Sequence, residues 1–133
     1  MGMFTKSDEE VVDLYDESGY EIFDITALKV VVRISDDFIR IARKATVTNT
    51  ILQGLDGEKT IDMHQITGYQ LKEPGKTRGY LQLIYPGSQD AKSGVFNATQ
   101  DENTIMFDKK DKPQIKEIKQ RIDAAILAKY KTN

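Results

Sequence analysis

Cysteine is absent from the sequence, and histidine occurs only once. Without a thiol, the chain cannot form a disulfide framework, a thiolate zinc site or a cysteine nucleophile. A cysteine-free chain also fits a reducing compartment, so we expect a cytoplasmic protein. Long apolar runs are missing too, because no stretch approaches the ~18 consecutive apolar residues of a membrane span. The first ten residues lack the basic and apolar regions of a signal peptide, so we expect no export signal.

An excess of one charge is also lacking over the whole chain, whose net charge is −2. The charges are nevertheless placed unevenly. Residues 1–24 carry one Lys and eight acidic residues, whereas residues 109–133 carry eight basic and three acidic residues. Nucleic-acid binders usually show a basic excess mixed with aromatic side chains. Because the basic excess here is confined to one terminal segment, we expect no nucleic-acid partner.

The 133 residues suit a single domain with one hydrophobic core. Residues 1–19 form an acidic extension with the pattern of a short helix. Ser7 and Glu10 have the spacing of a capping box, and Gly19 is a natural stop. The apolar face of this predicted helix consists of Val11, Leu14 and Tyr15. The predicted domain then covers residues 20–130.

Apolar and polar residues alternate from Tyr20 onward, which predicts seven or so short strands. The strand segments are "YEIFDIT", "ALKVVVRI", "FIRIAR", one or two strands in "KTIDMHQITGYQLK", "YLQLIYPG", "VFNAT" and "NTIMFD". The second segment places one set of side chains on one face: Leu28, Val30, Val32 and Ile34. The opposite face receives Lys29, Val31 and Arg33.

Turn signals separate these segments. "SDD" predicts a hairpin turn after Ile34, and Asp56-Gly57 predicts a second turn. Pro74-Gly75 fits the central positions of a type II turn. Gly68 is a candidate bulge.

The last predicted element is an amphipathic helix over about residues 112–130. Pro113 suits its first turn, and Asp111 is a candidate cap. One stripe at ~100° per residue contains Ile115, Ile118, Ile122, Ala125 and Ile126. The nearest apolar surface for this stripe is the open end or edge of a β-sandwich. The predicted fold is therefore mainly β (α+β): a seven-stranded antiparallel β-sandwich or partly open barrel closed by one C-terminal amphipathic helix, with a short N-terminal helix.

Three segments resemble a known family: "VVRISDDFIRIARK", "LDGEKTIDMHQITGYQLKEPGKTRGYLQLIYPGS" and "SGVFNATQDENTIMFDKKDKPQIKEIKQRI". Over about residues 28–128 the chain is similar to a bacterial and phage family of pleckstrin-homology-like domains without an assigned function. The similar features are "QIT" before a strand, the "GYLQ" strand after a Gly-containing turn, and the "ENTIMF" strand before the closing helix. The resemblance implies a pleckstrin-homology-like plan. That family is often fused to a short helical module called SHOCT, which the residues after Tyr130 do not resemble.

Residues with catalytic or metal-binding chemistry are few. His64 lies at a strand end with no Ser nearby in sequence, so a structural or surface histidine is the simpler interpretation. Asp36-Asp37, Asp56 and Asp101-Glu102 fit turns better than a calcium loop, which needs oxygens at alternate positions and a distal Glu. "LQGLDGEKT" lacks the spacing of a phosphate-binding loop. We therefore expect no enzyme activity, no cofactor and no metal site.

Two functions stay open. The first is a non-enzymatic interaction module (an adaptor) that binds a protein partner at a strand edge or in a groove beside the closing helix. Exposed edges would equally allow a homo-oligomer. The second is binding of anionic lipid headgroups or a membrane surface, against which the acidic first hairpin turn argues. The candidate interaction residues are Val11, Leu14, Tyr15, Lys109, Lys110 and Lys112. The acidic N-terminal helix is expected to pack on the basic C-terminal helix, within one chain or between two copies; the alternative is a partly disordered acidic tail, because isolated helices of this length are marginally stable.

Overall fold

A computed structural model describes residues 18–44, 55–88 and 103–131 of the chain. Three of the sequence predictions lie outside these ranges. They are the N-terminal helix with Val11, Leu14 and Tyr15, the strand in "VFNAT", and the turn at Asp101-Glu102.

Seven strands and one α-helix occur in the described ranges. The first sheet is antiparallel and contains, in spatial order, β1 (Glu21–Ile25), β2 (Val30–Ile34), β3 (Phe38–Lys44) and β4 (Leu55–Asp62). The second is also antiparallel and contains β5 (Gly68–Lys72), β6 (Gly79–Ile84) and β7 (Thr104–Phe107). The helix α1 covers Lys112–Lys131. Buried side chains of both sheets and of α1 form one cluster, which confirms the predicted mainly β, sandwich-like fold with a C-terminal helix.

The first sheet follows the predicted alternation in β1 but not in β2. In β1, Phe23 and Ile25 are buried between exposed neighbours. In β2 all five residues are buried, including Val31 and Arg33 on the face opposite Val30, Val32 and Ile34. Arg33 Nη1 lies 2.7 Å from Glu58 Oε2, and this ion pair supports burial of the guanidinium. Both faces of β2 are therefore buried, although antiparallel sheets commonly leave one face in solvent.

The start of β2 and the first hairpin are shaped by local backbone geometry. The strand predicted from Ala27 begins only at Val30, since Ala27–Lys29 form a 3-10 turn that ends with Lys29 at φ 53°. The hairpin predicted at "SDD" is present. Ser35 N donates to the carbonyl oxygen of Phe38 at 2.9 Å, and Ser35 Oγ accepts from the N–H groups of Asp37 and Phe38.

Two predicted irregularities of the strands are wrong. Asp56-Gly57 is not a turn, because β4 already begins at Leu55 and pairs with β3 from there. Gly68 is not a bulge, because it starts β5 in regular register opposite Ile84. The register shift of the described strands lies instead between Ala42 and Lys44.

The turn between β5 and β6 also differs from the predicted type. A type II turn requires a positive φ at its third residue, and Gly75 does not adopt one. Instead, Gly75 N donates to the carbonyl oxygen of Thr77 at 2.9 Å. The essential glycine of this region is Gly79. A Cβ there would lie 2.3 Å from the carbonyl oxygen of Lys72 and 2.8 Å from Pro74 N, so the two ends of the turn approach too closely for any side chain.

The closing helix buries the stripe predicted from its spacing. Ile115, Ile118 and Ile122 are buried, and Ala125 and Ile126 pack partly against the same core. Full burial of each Ile contributes roughly 1.5–3 kcal/mol before entropy is subtracted, so this face holds α1 on the sandwich. No helix within the described ranges is long and apolar enough to cross a membrane.

Asp111 joins the start of α1 to the end of β1. It closes the 3-10 turn Lys109–Asp111 and is 1% exposed. Its Oδ1 accepts from Thr26 N at 2.9 Å and Thr26 Oγ1 at 2.8 Å, and its Oδ2 accepts from Ala27 N at 3.3 Å and Asp108 N at 3.0 Å. Burial opposes ionisation of Asp111, but the hydrogen bonds from Asp108, Thr26 and Ala27 outweigh it and hold the pKa below its usual range. Asp111, which was predicted only as a helix cap, therefore also connects the start of α1 to the end of β1.

Candidate interaction groove

The strand β5 lies at an edge of the second sheet, beside an apolar groove. Among the described strands it pairs with β6 alone, its residues are mostly half-buried, and Leu71 is 40% exposed. The other edge of the same sheet, β7, is fully buried. The edge of β1 is in contact with α1, because Gln114 Nε2 donates to the carbonyl oxygen of Asp24 at 2.7 Å. An accessible edge strand presents backbone N–H and C=O groups to another chain.

A groove of about 530 Å³ lies between β5 and the first turns of α1, and we call it the β5 groove. Its apolar lining consists of Leu71, Phe107, Pro113 and Ile115. Phe107 and Ile115 are almost completely buried core residues, whereas Leu71 is substantially exposed. The groove therefore has an apolar floor supported by the core and one free apolar side chain on the edge strand.

Lysines form the helix side of the β5 groove. Lys112 Nζ lies 2.8 Å from Glu73 Oε1, and Lys119 Nζ lies 3.1 Å from Asp123 Oδ2. Lys116 also lines the groove and makes no ion pair with another described residue. Because Glu73 is the one acidic residue in the lining, the rim carries a net positive charge.

A hydrogen-bonded triad holds β5 against α1 beside the groove. Tyr69 Oη donates to Asp123 Oδ1 at 2.6 Å, while Lys119 contacts the other carboxylate oxygen. Burial and the Asp123 carboxylate raise the pKa of Tyr69. Burial disfavours the charged form of Asp123, but the hydrogen bonds from Tyr69 and Lys119 outweigh it and lower the pKa of Asp123. The strand-to-helix spacing is thus held by a charge-assisted hydrogen bond.

A second depression, of about 480 Å³, lies between the β5–β6 turn and the residues that precede α1. We call it the basic cleft, after the four cationic side chains that line it: Lys76, Arg78, Lys109 and Lys110. The acidic residue in the lining is Asp108, whose Oδ1 lies 3.1 Å from Arg78 Nε. The three lysines make no ion pair with any other described residue. With four cations against one carboxylate, the cleft carries a net positive charge and suits an anionic group.

His64 lies on the surface, as predicted. It lines a third depression, of about 340 Å³, next to Ser35 and α1. Its Nε2 lies 3.3 Å from Asp37 Oδ1, and its backbone N–H donates to Asp62. Ser35 Oγ accepts two backbone hydrogen bonds of the hairpin turn, which explains this serine as a turn residue. Within the described part of the chain, no group of three or more His, Asp or Glu side chains is placed to hold a metal ion.

The three predicted lysines are divided between the basic cleft and the β5 groove, whereas Val11, Leu14 and Tyr15 lie outside the described residues. Lys109 and Lys110 line the basic cleft, and Lys112 lines the β5 groove. Sequence reasoning missed Leu71, Lys76 and Arg78, which complete these surfaces. The signal for the two cations was the "KTR" of the turn segment "EPGKTRG", read only as a turn.

Residues 32–123 match a known family, described as "Domain of unknown function (DUF4429)". The match runs from β2 into α1 and includes the β5 groove and the basic cleft. It agrees with the resemblance to a domain family without an assigned function. Comparison with the curated proteins gave no match, and comparison with the solved structures gave none either. Because residues 32–123 are well over half of the chain, the chain belongs to the DUF4429 family.

Proposed function

We propose that this protein is a non-enzymatic interaction module that binds a protein partner in the β5 groove. The partner contributes an extended segment, which pairs with the free edge of β5 and places an apolar side chain against Leu71. The observation that carries the proposal is the combination of a partly exposed edge strand with an apolar groove that Leu71 of that strand lines.

A pleckstrin-homology-like plan is part of this proposal. It is supported by a four-stranded sheet, a three-stranded sheet and a helix that packs across them at the C-terminal end. A bacterial or phage protein that acts in the cytoplasm is consistent with the sequence resemblance. The function itself is argued from the groove and not from the fold, because one fold serves many functions.

The expected affinity is modest. Complete burial of a Leu side chain contributes ~1.5–3 kcal/mol, and each added backbone hydrogen bond contributes ~0.5–1.5 kcal/mol net. Association costs at least ~4 kcal/mol in lost translational and rotational freedom. For a strand of about five residues, matched to β5, these contributions lead us to expect a dissociation constant in the high-micromolar to millimolar range.

The test compares two matched variants. Leu71→Asp places a carboxylate in the β5 groove, whereas Ile22→Asp makes the same change on β1. Both side chains are 40% exposed and both lie on edge strands, so the two changes have similar effects on folding. Wild type and both variants are used to select peptides from a displayed random library, and selected peptides are measured by fluorescence anisotropy.

The proposal expects wild type and Ile22→Asp to select and bind the same extended peptides, and Leu71→Asp to lose them. Circular dichroism and urea denaturation confirm that each variant is folded. A wild-type protein that selects no peptide, or a Leu71→Asp variant that binds as well as wild type, contradicts binding in this groove.

A further inference from the structure

We infer that the partner segment carries acidic side chains on the N-terminal side of the strand that it adds to β5, and that the basic cleft binds them. This inference rests on the proposed function, and it defines the partner more narrowly: an extended protein segment with an apolar residue preceded by carboxylates.

The basic cleft continues the line of the β5 groove. Glu73 follows the last residue of β5 and lines the groove, and Pro74, the next residue, already lines the cleft. On the helix side, Lys110 lines the cleft and Lys112 lines the groove. The ion pair between Glu73 and Lys112 therefore marks the boundary between the two depressions. A chain that leaves the groove past Lys72 enters the basic cleft.

The direction of the added strand decides which side of the apolar residue carries the acids. The sheet of β5, β6 and β7 is antiparallel throughout. Antiparallel pairing is the more common arrangement, and it extends this sheet without a change of hydrogen-bond pattern. A partner strand antiparallel to β5 begins next to Lys72 and ends next to Gly68. Its preceding residues consequently lie at the cleft.

The charges of the cleft are complementary to carboxylates. Four cations surround it, and the carboxylate of Asp108 is already in contact with Arg78. The hydrogen bond between these two side chains orients the guanidinium, while Lys76, Lys109 and Lys110 make no ion pair with a described residue. Such a grouping favours a ligand that brings two or more negative charges.

The expected effect is an affinity change that salt removes. Exposed ion pairs contribute up to ~1 kcal/mol each, so the loss of two such pairs weakens binding by up to about 30-fold. At 1 M salt the screening length falls to ~3 Å, and the contribution of the acids disappears while that of the apolar residue stays.

The experiment uses full-length protein and a peptide selected on the wild type. Three peptides are compared: the selected sequence, one with its N-terminal acids replaced by Ser, and one with the acids moved to the C-terminal side. Each is titrated by fluorescence anisotropy against wild type, Lys109→Glu/Lys110→Glu and the control Lys29→Glu/Lys131→Glu. The control makes the same change in net charge at two exposed lysines outside the cleft.

Acids enriched on the N-terminal side, with a loss of about tenfold from Lys109→Glu/Lys110→Glu but not from the control, support the inference. Peptides that require Leu71 but bind equally well without acids overturn the inference and leave the groove intact. A requirement for acids on the C-terminal side overturns the antiparallel direction. The same proteins are sedimented with phosphatidylserine vesicles at physiological salt. If co-sedimentation depends on Lys109 and Lys110 while Lys109→Glu/Lys110→Glu binds the peptides as wild type does, the cleft binds a membrane surface. That result also overturns the inference.

Discussion

Replacing Asp111 with Asn tests whether this buried carboxylate ties the start of α1 to the first sheet. The Asn side chain keeps the shape but has one acceptor oxygen and one NH2 group. If its oxygen accepts from Thr26, its NH2 faces the N–H groups of Ala27 and Asp108, which now have no acceptor. Each buried donor left unsatisfied costs ~1–3 kcal/mol, so we expect Asp111→Asn to lower the free energy of unfolding by ~3 kcal/mol.

The loss is measured by urea denaturation and by thermal unfolding. For a domain of this size, ~3 kcal/mol corresponds to a decrease in Tm of about 10 °C. The control is Asp36→Asn, because Asp36 is fully exposed and its ion pair with Arg121 is 3.9 Å long. Its effect is expected to stay within ~0.5 kcal/mol. If Asp111→Asn lowers the free energy of unfolding by less than ~1 kcal/mol, Asp111 does not hold α1 on the first sheet as argued.

The same variant has a characteristic pH dependence. The pKa of Asp111 is lowered in the folded state, so its ionisation stabilises the fold above the unfolded-state pKa of ~3.9. This stabilisation is lost as the pH falls through the folded-state pKa. The difference in unfolding free energy between wild type and Asp111→Asn is therefore constant near neutral pH and decreases below about pH 4. A difference that is independent of pH down to pH 3 would contradict the role of the charge.

Three further predictions concern the turn, the groove and the N-terminal segment. Gly79→Ala strongly lowers the urea midpoint, because the new Cβ has no space. The control Gly75→Ala changes stability by less than ~1 kcal/mol, because its Cβ meets nothing within 4 Å. Equal effects of the two variants contradict the close approach of Gly79 to Lys72 and Pro74. Tyr69→Phe removes the hydrogen bond to Asp123 and costs ~1 kcal/mol, and absorbance titration of the folded wild type includes a tyrosine with a raised pKa that the variant lacks. Deleting residues 1–18 lowers Tm if the predicted acidic helix docks, or reduces the particle size in light scattering if it joins two copies; unchanged Tm and mass exclude docking.

Regular patterns of the sequence predicted the elements that depend on local spacing. The Ile stripe of α1 has the period of a helix with one buried face, and its bounds agree with Lys112–Lys131. The hairpin at Ser35 follows from turn chemistry that involves only neighbouring residues. Such features need no knowledge of distant parts of the chain, which is why they could be predicted.

Features that depend on distant residues could not be predicted in the same way. The burial of Arg33 requires Glu58, which lies two strands away in the sheet. The burial of Asp111 requires Thr26 and Ala27, whose N–H groups donate to it across 85 and 84 residues of sequence. In each case the deciding contact joins residues that no local pattern relates.

The candidate site shows the same division. Lys109, Lys110 and Lys112 were named from the sequence because they form a dense basic run. Leu71 was not named, because an apolar residue in an alternating strand is indistinguishable from a core residue until the strand is known to lie at an edge. Its exposure follows from the order of strands in the sheet, which no local pattern specifies.

The tie between Asp111 and the end of β1 has a consequence for synthesis of the chain. Thr26 and Asp111 are separated by 85 residues, so Thr26 and Ala27 are synthesised well before the residue that accepts their hydrogen bonds. At ~5–20 residues per second, the interval is roughly 4–17 s. During that time the first sheet emerges without the helix that contacts β1. A nascent or truncated chain that ends before Asp111 therefore exposes a strand edge and unpaired donors, and chaperones and proteases can distinguish it from the finished domain.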